Sequence, residues 1–358
     1  MNIALAFSVA AAVTFATTPA VIYLAKRFRL VDDPSVRHHP ASVHRGIIPR
    51  AGGLALYTGL ITAIFLFLGI STVTVGIAGA GLLLVVIGLM DDRKDVNPYI
   101  RLITLSVAAA VVVASGVSIP YITNPATGGI LQLDAWKIML PFAGPIAIGS
   151  VIFSYLWIMW TINIVGWSAG VDGQMPGFVA IAATTLGILA FRFNLADPTY
   201  RAVPLLAFIV AGVFAGFLPW NFYPQKIMPG YGGKTLAGLL LGILSILSYG
   251  KVGTALLVLG IPTLDAAYTL VRRLSTGKSP VWADRGHLHH QLLNLGWGKR
   301  RIALFYWTVS AILGAVALTV TSRQKLFLFL LVAVAFGIFI VWVKFFMQFS
   351  KPRDRDNG

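Results

Sequence analysis

Residues 72–90 read TVTVGIAGAGLLLVVIGLM, and the next five residues read DDRKD. The uncharged run is close to the ~20 residues that a helix needs to cross the hydrocarbon core of a bilayer. It ends at two carboxylates, as a spanning segment does where it meets water. Runs of the same kind recur along the whole chain, and they decide the fold class.

The composition excludes an ordinary soluble enzyme. Hydrophobic residues make up 57% of the 358 residues, charged residues make up 11%, and the mean hydropathy is +0.82. A typical globular domain has about 25% charged residues. We therefore predict an all-α polytopic membrane protein with about eleven transmembrane helices, or ten at the lower count. The apolar segments are 3–24, 52–70, 72–90, 102–119, 141–162, 176–195, 202–219, 235–250, 252–270, 302–320 and 326–346.

The distribution of Lys and Arg predicts the orientation. With the N-terminus outside, 22 of the 28 basic residues fall in cytoplasmic segments, in agreement with the positive-inside rule. The C-terminus is then cytoplasmic. We expect a single integral-membrane domain over 1–346 and a short basic tail over 347–358. The cytoplasmic loops are 25–51, 91–101, 163–175, 220–234 and 271–301.

Charge and polarity also narrow the function. The cytoplasmic loops of a membrane protein explain the net charge of +16, so we expect the membrane as a partner and no nucleic acid. All six histidines and nine of the twelve Asp residues lie on the predicted cytoplasmic side. Positive-inside sorting does not explain that bias, which indicates a site for phosphates, a metal ion or both. A channel or transporter would place polar residues nearer the midplane, and the absence of cysteine excludes thiol chemistry.

The first candidate site is the carboxylate pair Asp91-Asp92 at the end of the third segment. Two carboxylates at the mouth of a helix can hold Mg²⁺, which prefers oxygen ligands and a diphosphate. One of them could act instead as a general base. The alternative is a solvated acid pair that Arg93 and Lys94 neutralise.

A second candidate site lies in the fifth loop, where residues 284–290 read DRGHLHH. If this stretch is helical, His287 and His290 share a face. The imidazoles, His289 among them, could coordinate a metal, hydrogen-bond phosphate oxygens or transfer protons, with Arg285 beside them as a substrate-binding cation. Zinc is a poor candidate, because cysteine and the HExxH pattern are both missing. The alternative is a weakly basic, soluble loop.

The first loop carries three further candidates for substrate binding, Arg37, His44 and Arg50, ahead of the pair Gly52-Gly53. Small residues at a helix N-terminus with arginine nearby are typical of an anion site. The alternative is a set of interfacial basic residues that contact anionic lipid headgroups.

Four more polar residues stand at or near predicted helix ends. Asn163 and Asp172 lie in the third loop, where Gly170 and Gly173 indicate a tight turn that either presents the carboxylate or is ordinary turn chemistry. A glycine-rich turn brings Lys234 to the start of a helix, where it could bind an anion. Asp265 lies about 10 Å deeper along its helix than Arg272. It is either a functional carboxylate or a polar tie between helices.

Taken in chain order, the motifs of the five loops resemble those of the polyprenyl-phosphate N-acetylhexosamine-1-phosphate transferases, which form glycosyltransferase family 4. The HLHH form of the fifth loop looks like the branch that uses UDP-N-acetylglucosamine or a related sugar, and less like the branch that makes peptidoglycan lipid I. The resemblance covers residues 33–293 and rests on five stretches, which are 33–53, 88–92, 163–173, 226–230 and 262–293.

The resemblance implies transfer of a sugar-1-phosphate, such as N-acetylglucosamine-1-phosphate, from a UDP-sugar to a membrane polyprenyl phosphate. It also implies Mg²⁺ as cofactor and an active site on the cytoplasmic face of a bacterial cytoplasmic membrane, where the reaction would initiate a cell-envelope glycan. A homodimer is compatible with it. Asp91 would deprotonate or orient the lipid phosphate, and Asp92 would assist at the phosphates or the metal. Asn163 and Asp172 would lie near the nucleotide. The residues implied to contact the diphosphate or sugar are His287, His289 and His290.

Four positions depart from the family pattern. In the fourth loop the family has Gly-Asp-x-Gly-Ser, with the Asp as the main metal ligand, whereas this chain has Tyr231 in place of the Asp and Lys234 in place of the Ser. In the third loop the first Asp of the family's Asp-Gly-x-Asp-Gly is Ala169, and the family's second Asn is Gly166. Together these changes shift the formal charge by about +3, which is a large local term at close range. Asp92 and Asp172 remain as candidate metal ligands.

Two hypotheses follow from these departures. The first is an enzyme whose site is weakly dependent on Mg²⁺ or free of metal, with Lys234 supplying positive charge as a point charge. The second is a catalytically silent homologue that binds polyprenyl phosphate or a nucleotide sugar as a scaffold or regulator. The retained Asp91, Asp92 and histidines favour the enzyme.

Overall fold

The computed structural model describes residues 2–35, 44, 46–124, 127–140, 144–196, 201–248, 252–279 and 285–349. Within them the chain is a helical bundle with three short β ribbons, which confirms the predicted all-α class. Arg37 and the tail beyond residue 349 lie outside the described residues. The helices are α1 (Ile3–Arg27), α2 (Gly52–Phe67), α3 (Thr72–Lys94), α4 (Pro98–Ala114), α5 (Ile148–Trp167), α6 (Gln174–Ala196), α7 (Ala202–Asn221), α8 (Gly230–Leu247), α9 (Val252–Val258), α10 (Gly260–Ser275), α11 (Leu288–Asn294), α12 (Lys299–Ala317) and α13 (Ser322–Phe349).

Most of these helices match a predicted apolar segment. In the described part of the chain, eight helices are long and apolar enough to cross a membrane, and a bent pair makes a ninth. Two further apolar helices, α2 and α4, are shorter, with 16 and 17 residues. The predicted count of eleven stays a prediction, since it requires both short helices to cross the bilayer.

The ninth predicted segment, 252–270, is not one continuous helix. It divides into α9 and α10, whose axes differ in direction by 84°. Pro262 lies in the first turn of α10, where its missing N–H costs nothing. In a continuous helix its ring would clash with the carbonyl of Val258, the last residue of α9. Pro262 therefore favours a break at this point of the chain.

The fifth predicted segment, 141–162, is displaced along the chain. Helix α5 begins at Ile148 and continues to Trp167, whereas residues before it pair as strands. The described ribbons are all two-stranded and antiparallel. They pair β1 (Val31–Asp32) with β2 (Ile48–Pro49), β3 (Tyr121–Thr123) with β4 (Ile130–Gln132), and β5 (Lys137–Leu140) with β6 (Gly144–Ala147).

The start of α8 is pressed between α2 and α3. A Cβ atom on Gly88 of α3 would lie 2.3 Å from the backbone nitrogen of Gly232, and one on Gly53 of α2 would lie 2.6 Å from that of Gly233. Small residues allow helix backbones to approach this closely. The close packing brings the first turn of α8 against the end of α3.

Candidate active site

A cavity of about 330 Å³ opens at the end of the bundle where the predicted cytoplasmic loops meet. It collects charged side chains beside apolar ones such as Leu102, Leu105 and Ile162. Arg285 is exposed and is not part of its lining. The predicted site residues that line it are His44, Arg50, Asp91, Asn163, Lys234, His287, His289 and His290, together with Tyr231.

Asp91 and Asp92 are buried at the end of α3, with 2% and 6% of their surface exposed. Their ion-pair partners are not the neighbouring cations of the same helix, so the interpretation as a solvated acid pair is wrong. Arg101, one turn into α4, binds Asp91 through its Nε at 2.5 Å. The backbone N–H of Val96 also donates to Asp91 Oδ1 at 3.1 Å.

Asp92 connects three parts of the chain. Its Oδ1 lies 3.1 Å from Arg50 Nη2 and accepts a 3.0 Å hydrogen bond from the backbone N–H of Tyr231. The carboxylate therefore lies at the N-terminus of α8, where the partial positive charge of the helix favours an anion. Arg50 also approaches Asp32 of the first ribbon, at 3.9 Å.

Tyr231 is nearly buried and contacts two cations with its ring. The guanidinium carbon of Arg101 lies 5.4 Å from the ring centroid, and Lys234 Nζ lies 5.5 Å from it. Both distances are within the range of cation–π attraction. Lys234 follows Tyr231 by three residues, so both stand on the same face of α8. The phenol thus holds two positive charges at the position where the family has a carboxylate.

Asp265 is fully buried in α10 and holds the start of α11. Its Oδ1 accepts a 2.7 Å hydrogen bond from the backbone N–H of Leu288, and its Oδ2 lies 3.0 Å from His287 Nδ1. Asp265 therefore fits both interpretations of the sequence analysis. It is a polar contact between helices, and it serves the site because that contact orients His287, which lines the cavity.

The three histidine rings lie in contact, His287 stacked on His289 and His290 tilted against His289. His287 precedes α11 in extended conformation, so it does not share a helical face with His290 as the spacing predicted. Its ring is parallel to that of His289, with 5.7 Å between centroids, and His289 contacts His290 at 4.3 Å. Burial, with the neighbouring His290 and His287, holds the pKa of His289 well below its ordinary value. His289 is therefore a neutral imidazole at neutral pH.

The third loop is held by residues that sequence reasoning missed. Lys299, at the start of α12, binds Asp172 Oδ1 at 2.9 Å, and the backbone N–H of Gln225 donates to Asp172 Oδ2 at 3.2 Å. Asn221 accepts from Gly173 N–H at 3.0 Å. The turn therefore holds its carboxylate against α12 and the fourth loop, outside the cavity lining.

Polar groups that the sequence analysis assigned to substrate binding in the first and third loops are hydrogen-bonded within the protein. The N–H groups of Gly52 and Gly53 donate to the carbonyls of Met228 and Pro229, at 3.0 and 2.8 Å. They are thus engaged in joining the first and fourth loops. Asn163 donates its amide to the Met159 carbonyl of its own helix, at 2.8 Å, while lining the cavity.

His44 is buried beside Asp32, with 3.7 Å between Nε2 and Oδ2. Burial lowers the pKa of His44 below its ordinary value, against the opposing attraction of that carboxylate. The residue is one of the predicted substrate-binding residues, and it lines the cavity.

Comparisons with known proteins identify the family of the chain. A model of glycosyl transferase family 4 matches residues 74–249. The chain is 32% identical to a decaprenyl-phosphate N-acetylglucosaminephosphotransferase of Mycolicibacterium smegmatis, over 89% of this chain and 82% of the relative. It is 28% identical to a probable undecaprenyl-phosphate N-acetylglucosaminyl 1-phosphate transferase of Bacillus subtilis, over 90% of this chain and 86% of the relative.

The chain belongs to glycosyl transferase family 4. This confirms the family that the loop motifs predicted, and with it the class of membrane glycosyl-1-phosphate transferases. A third relative, the undecaprenyl-phosphate alpha-N-acetylglucosaminyl 1-phosphate transferase of Escherichia coli K12, is 28% identical over 93% of this chain and 90% of its own length. The apolar helices and these relatives identify an integral membrane protein.

The Mg²⁺ that the family resemblance implies does not fit the donor set of this chain. Mg²⁺ requires near-octahedral oxygen ligands at about 2.1 Å. Asp91, Asp92 and Asp172 are each bound to Arg or Lys, and Tyr231 occupies the family's ligand position with two cations over its ring. No group of three or more histidine or acidic side chains among the described residues is placed to hold a metal ion.

Proposed function

We propose that this protein transfers N-acetylglucosamine-1-phosphate, or a closely related sugar phosphate, from a UDP-sugar to polyprenyl phosphate at the cytoplasmic membrane face. The names of the three relatives support the lipid acceptor and the sugar. The observation that carries the proposal is the cavity itself. It places cations and histidines beside apolar side chains at one end of the bundle, where a soluble donor and a lipid phosphate can meet.

The reaction needs one substitution at phosphorus. An oxygen of polyprenyl phosphate attacks the phosphorus that carries the sugar, forming a new P–O bond. The bond from that phosphorus to the bridging oxygen breaks, and UMP leaves with the electron pair. Because the charge is spread over phosphate oxygens, positioned cations do most of the catalytic work. Arg50, Arg101, Lys234 and Arg273 line the cavity and supply them.

The buried carboxylate and the histidines have separate roles. Asp91 would orient the lipid phosphate or accept its proton, since it is the buried carboxylate of the pair that lines the cavity. Neutral imidazoles such as His289 would donate hydrogen bonds to phosphate or sugar oxygens. Leu102 and Leu105 would contact the first units of the prenyl chain.

Two observations support the cytoplasmic location, and the second builds on the first. The segments assigned to the cytoplasm hold 22 of the 28 basic residues, which favours this orientation. The cavity is formed by the helix ends that those same segments connect, including the C-terminal end of α3 and the N-terminal end of α8.

The test is UMP release by the protein purified in detergent, with UDP-N-acetylglucosamine and undecaprenyl phosphate. Turnover is expected, and Asp91→Asn should lower kcat by about 10²-fold or more. Asp95→Asn is the matched control, because this carboxylate ends the same helix but is 49% exposed. Absence of turnover with several UDP-sugars, together with saturable binding of the lipid phosphate, would identify the silent homologue instead.

A further inference from the structure

The residues that line the cavity carry a formal excess of positive charge, part of which Asp92 offsets from outside the lining. Among the described residues that line the cavity, four side chains are cationic and two are carboxylates. The cations are Arg50, Arg101, Lys234 and Arg273, and the carboxylates are Asp32 and Asp91. A divalent cation would add charge to a cavity that is already positive, whereas a diphosphate would neutralise it.

Two of these cations contact the same aromatic ring, that of Tyr231. Arg101 comes from α4 and Lys234 from α8, yet both lie over the ring of Tyr231, at 5.4 and 5.5 Å. Like charges repel each other, and the electron-rich face of an aromatic ring attracts each cation without adding a formal charge. An Asp at position 231 would instead neutralise one of the cations. Tyrosine thus holds both cations beside Asp91, the ion-pair partner of Arg101, without adding a carboxylate of its own.

We propose that Arg101 and Lys234, held over the Tyr231 ring, bind the donor diphosphate in place of a metal ion and make the transfer metal-independent. The inference rests on the proposed function, since it assigns the charge that this reaction needs. The cations offset the negative charge that moves onto the leaving UMP as its P–O bond breaks. The guanidinium of Arg101 can contact two phosphate oxygens at once, and Lys234 acts as a point charge.

Donor binding tests the site without requiring turnover. UDP-N-acetylglucosamine is titrated into the detergent-solubilised protein in EDTA by calorimetry. The wild type should bind, and Lys234→Ser should raise the Kd about tenfold or more, whereas Lys234→Arg should retain most of the affinity. Lys226→Ser is the matched control, because Lys226 also lies over an aromatic ring, that of Trp220 at 5.1 Å, but outside the cavity lining. Equal affinity of Lys234→Ser and wild type would overturn the inference.

Turnover then separates the inference from the proposed function. Wild-type UMP release should be the same in EDTA and in Mg²⁺. The double substitution Tyr231→Asp with Lys234→Ser restores the family pattern of the fourth loop, and its turnover should appear only with Mg²⁺. Wild-type turnover that EDTA abolishes would overturn the metal-free site while leaving the proposed transferase intact. Donor binding that depends on Lys234, without turnover under either condition, would support the site and contradict the transferase.

Discussion

The backbone N–H of Tyr231 donates a 3.0 Å hydrogen bond to Oδ1 of Asp92. This contact joins the last turn of α3 to the first turn of α8, and Arg50 adds a 3.1 Å ion pair from the first loop. A Cβ on Gly230 would lie 2.1 Å from Asp92 Oδ2, so the carboxylate packs directly on the helix start. Asp92 therefore determines where the Tyr231 ring stands, and through it where Arg101 and Lys234 stand.

We expect Asp92→Asn to destabilise the protein by about 3 kcal/mol, which is in the range for removing one partner of a buried ion pair. The amide oxygen can still accept from Tyr231, but Arg50 loses the nearer of its two carboxylate partners and keeps only Asp32 at 3.9 Å. The measurement is unfolding in mixed micelles, followed by tryptophan fluorescence. Asp95→Asn removes a half-exposed carboxylate 3.5 Å from Arg101, and it should cost less than about 1 kcal/mol. Equal losses in the two variants would contradict the role of Asp92.

The sequence is sufficient to place the carboxylates and histidines at one face of the bundle. An apolar run of fixed length puts its two ends at opposite membrane faces, so Asp91, at the end of such a run, belongs to the loop side. The same reasoning brings Lys234 and the histidines to that side. Asp91, Lys234 and the three histidines do line one cavity, and the membrane face at which that cavity opens stays a prediction.

The partners of those residues could not be predicted in the same way. Arg101 pairs with Asp91, Lys299 with Asp172, and Asp265 with His287, over separations of 10 to 127 residues. Such pairs depend on how helices rotate and approach each other, which apolar periodicity along one helix does not determine. Pro262 was the available signal for the break between α9 and α10, because proline inside a helix removes a hydrogen bond.

His289 packs against Gly170 of the third loop so closely that only glycine fits at position 170. A Cβ on Gly170 would lie 1.9 Å from His289 Nε2, a separation that real Cβ atoms do not show. Gly170→Ala should therefore displace the imidazole and lower kcat by about tenfold or more, since small misplacements of catalytic groups are costly. UMP release under saturating substrates is the measurement.

Gly166→Ala is the matched control for that substitution. Gly166 also lines the cavity, but a Cβ there meets no atom within 4 Å. It lies inside α5, where alanine is favoured over glycine by about 0.5–1 kcal/mol. Gly166→Ala should keep wild-type activity with equal or higher stability. A larger loss in Gly166→Ala than in Gly170→Ala would show that His289 is not positioned by this contact.

The buried histidines predict a loss of stability in acid. In the unfolded chain a histidine binds a proton below about pH 6.5, whereas burial holds the pKa of His289 well below that value in the folded protein. The unfolded state then binds more protons, so stability falls as the pH drops below about 6.5. Each such histidine contributes a slope of up to about 1.4 kcal/mol per pH unit.

His289→Gln isolates this contribution. Unfolding free energies are measured between about pH 7.5 and pH 5.5, on both sides of the ordinary histidine pKa. The variant should show a shallower decline than the wild type, and the remaining slope includes His44, whose pKa is also lowered by burial. Parallel curves for the two proteins would mean that His289 takes up its proton in the folded state.

The orientation can be tested with single cysteines, because the chain has none of its own. Thr127, Ser279 and Thr321 are exposed positions between α4 and α5, after α10, and between α12 and α13. With the N-terminus outside and α9–α10 crossing once, Thr127→Cys and Thr321→Cys should react with a membrane-impermeant maleimide on intact cells. Ser279→Cys should react only after permeabilisation. Labelling of Ser279→Cys in intact cells would place the cavity on the outer face, where the nucleotide donor of the cytosol cannot reach it.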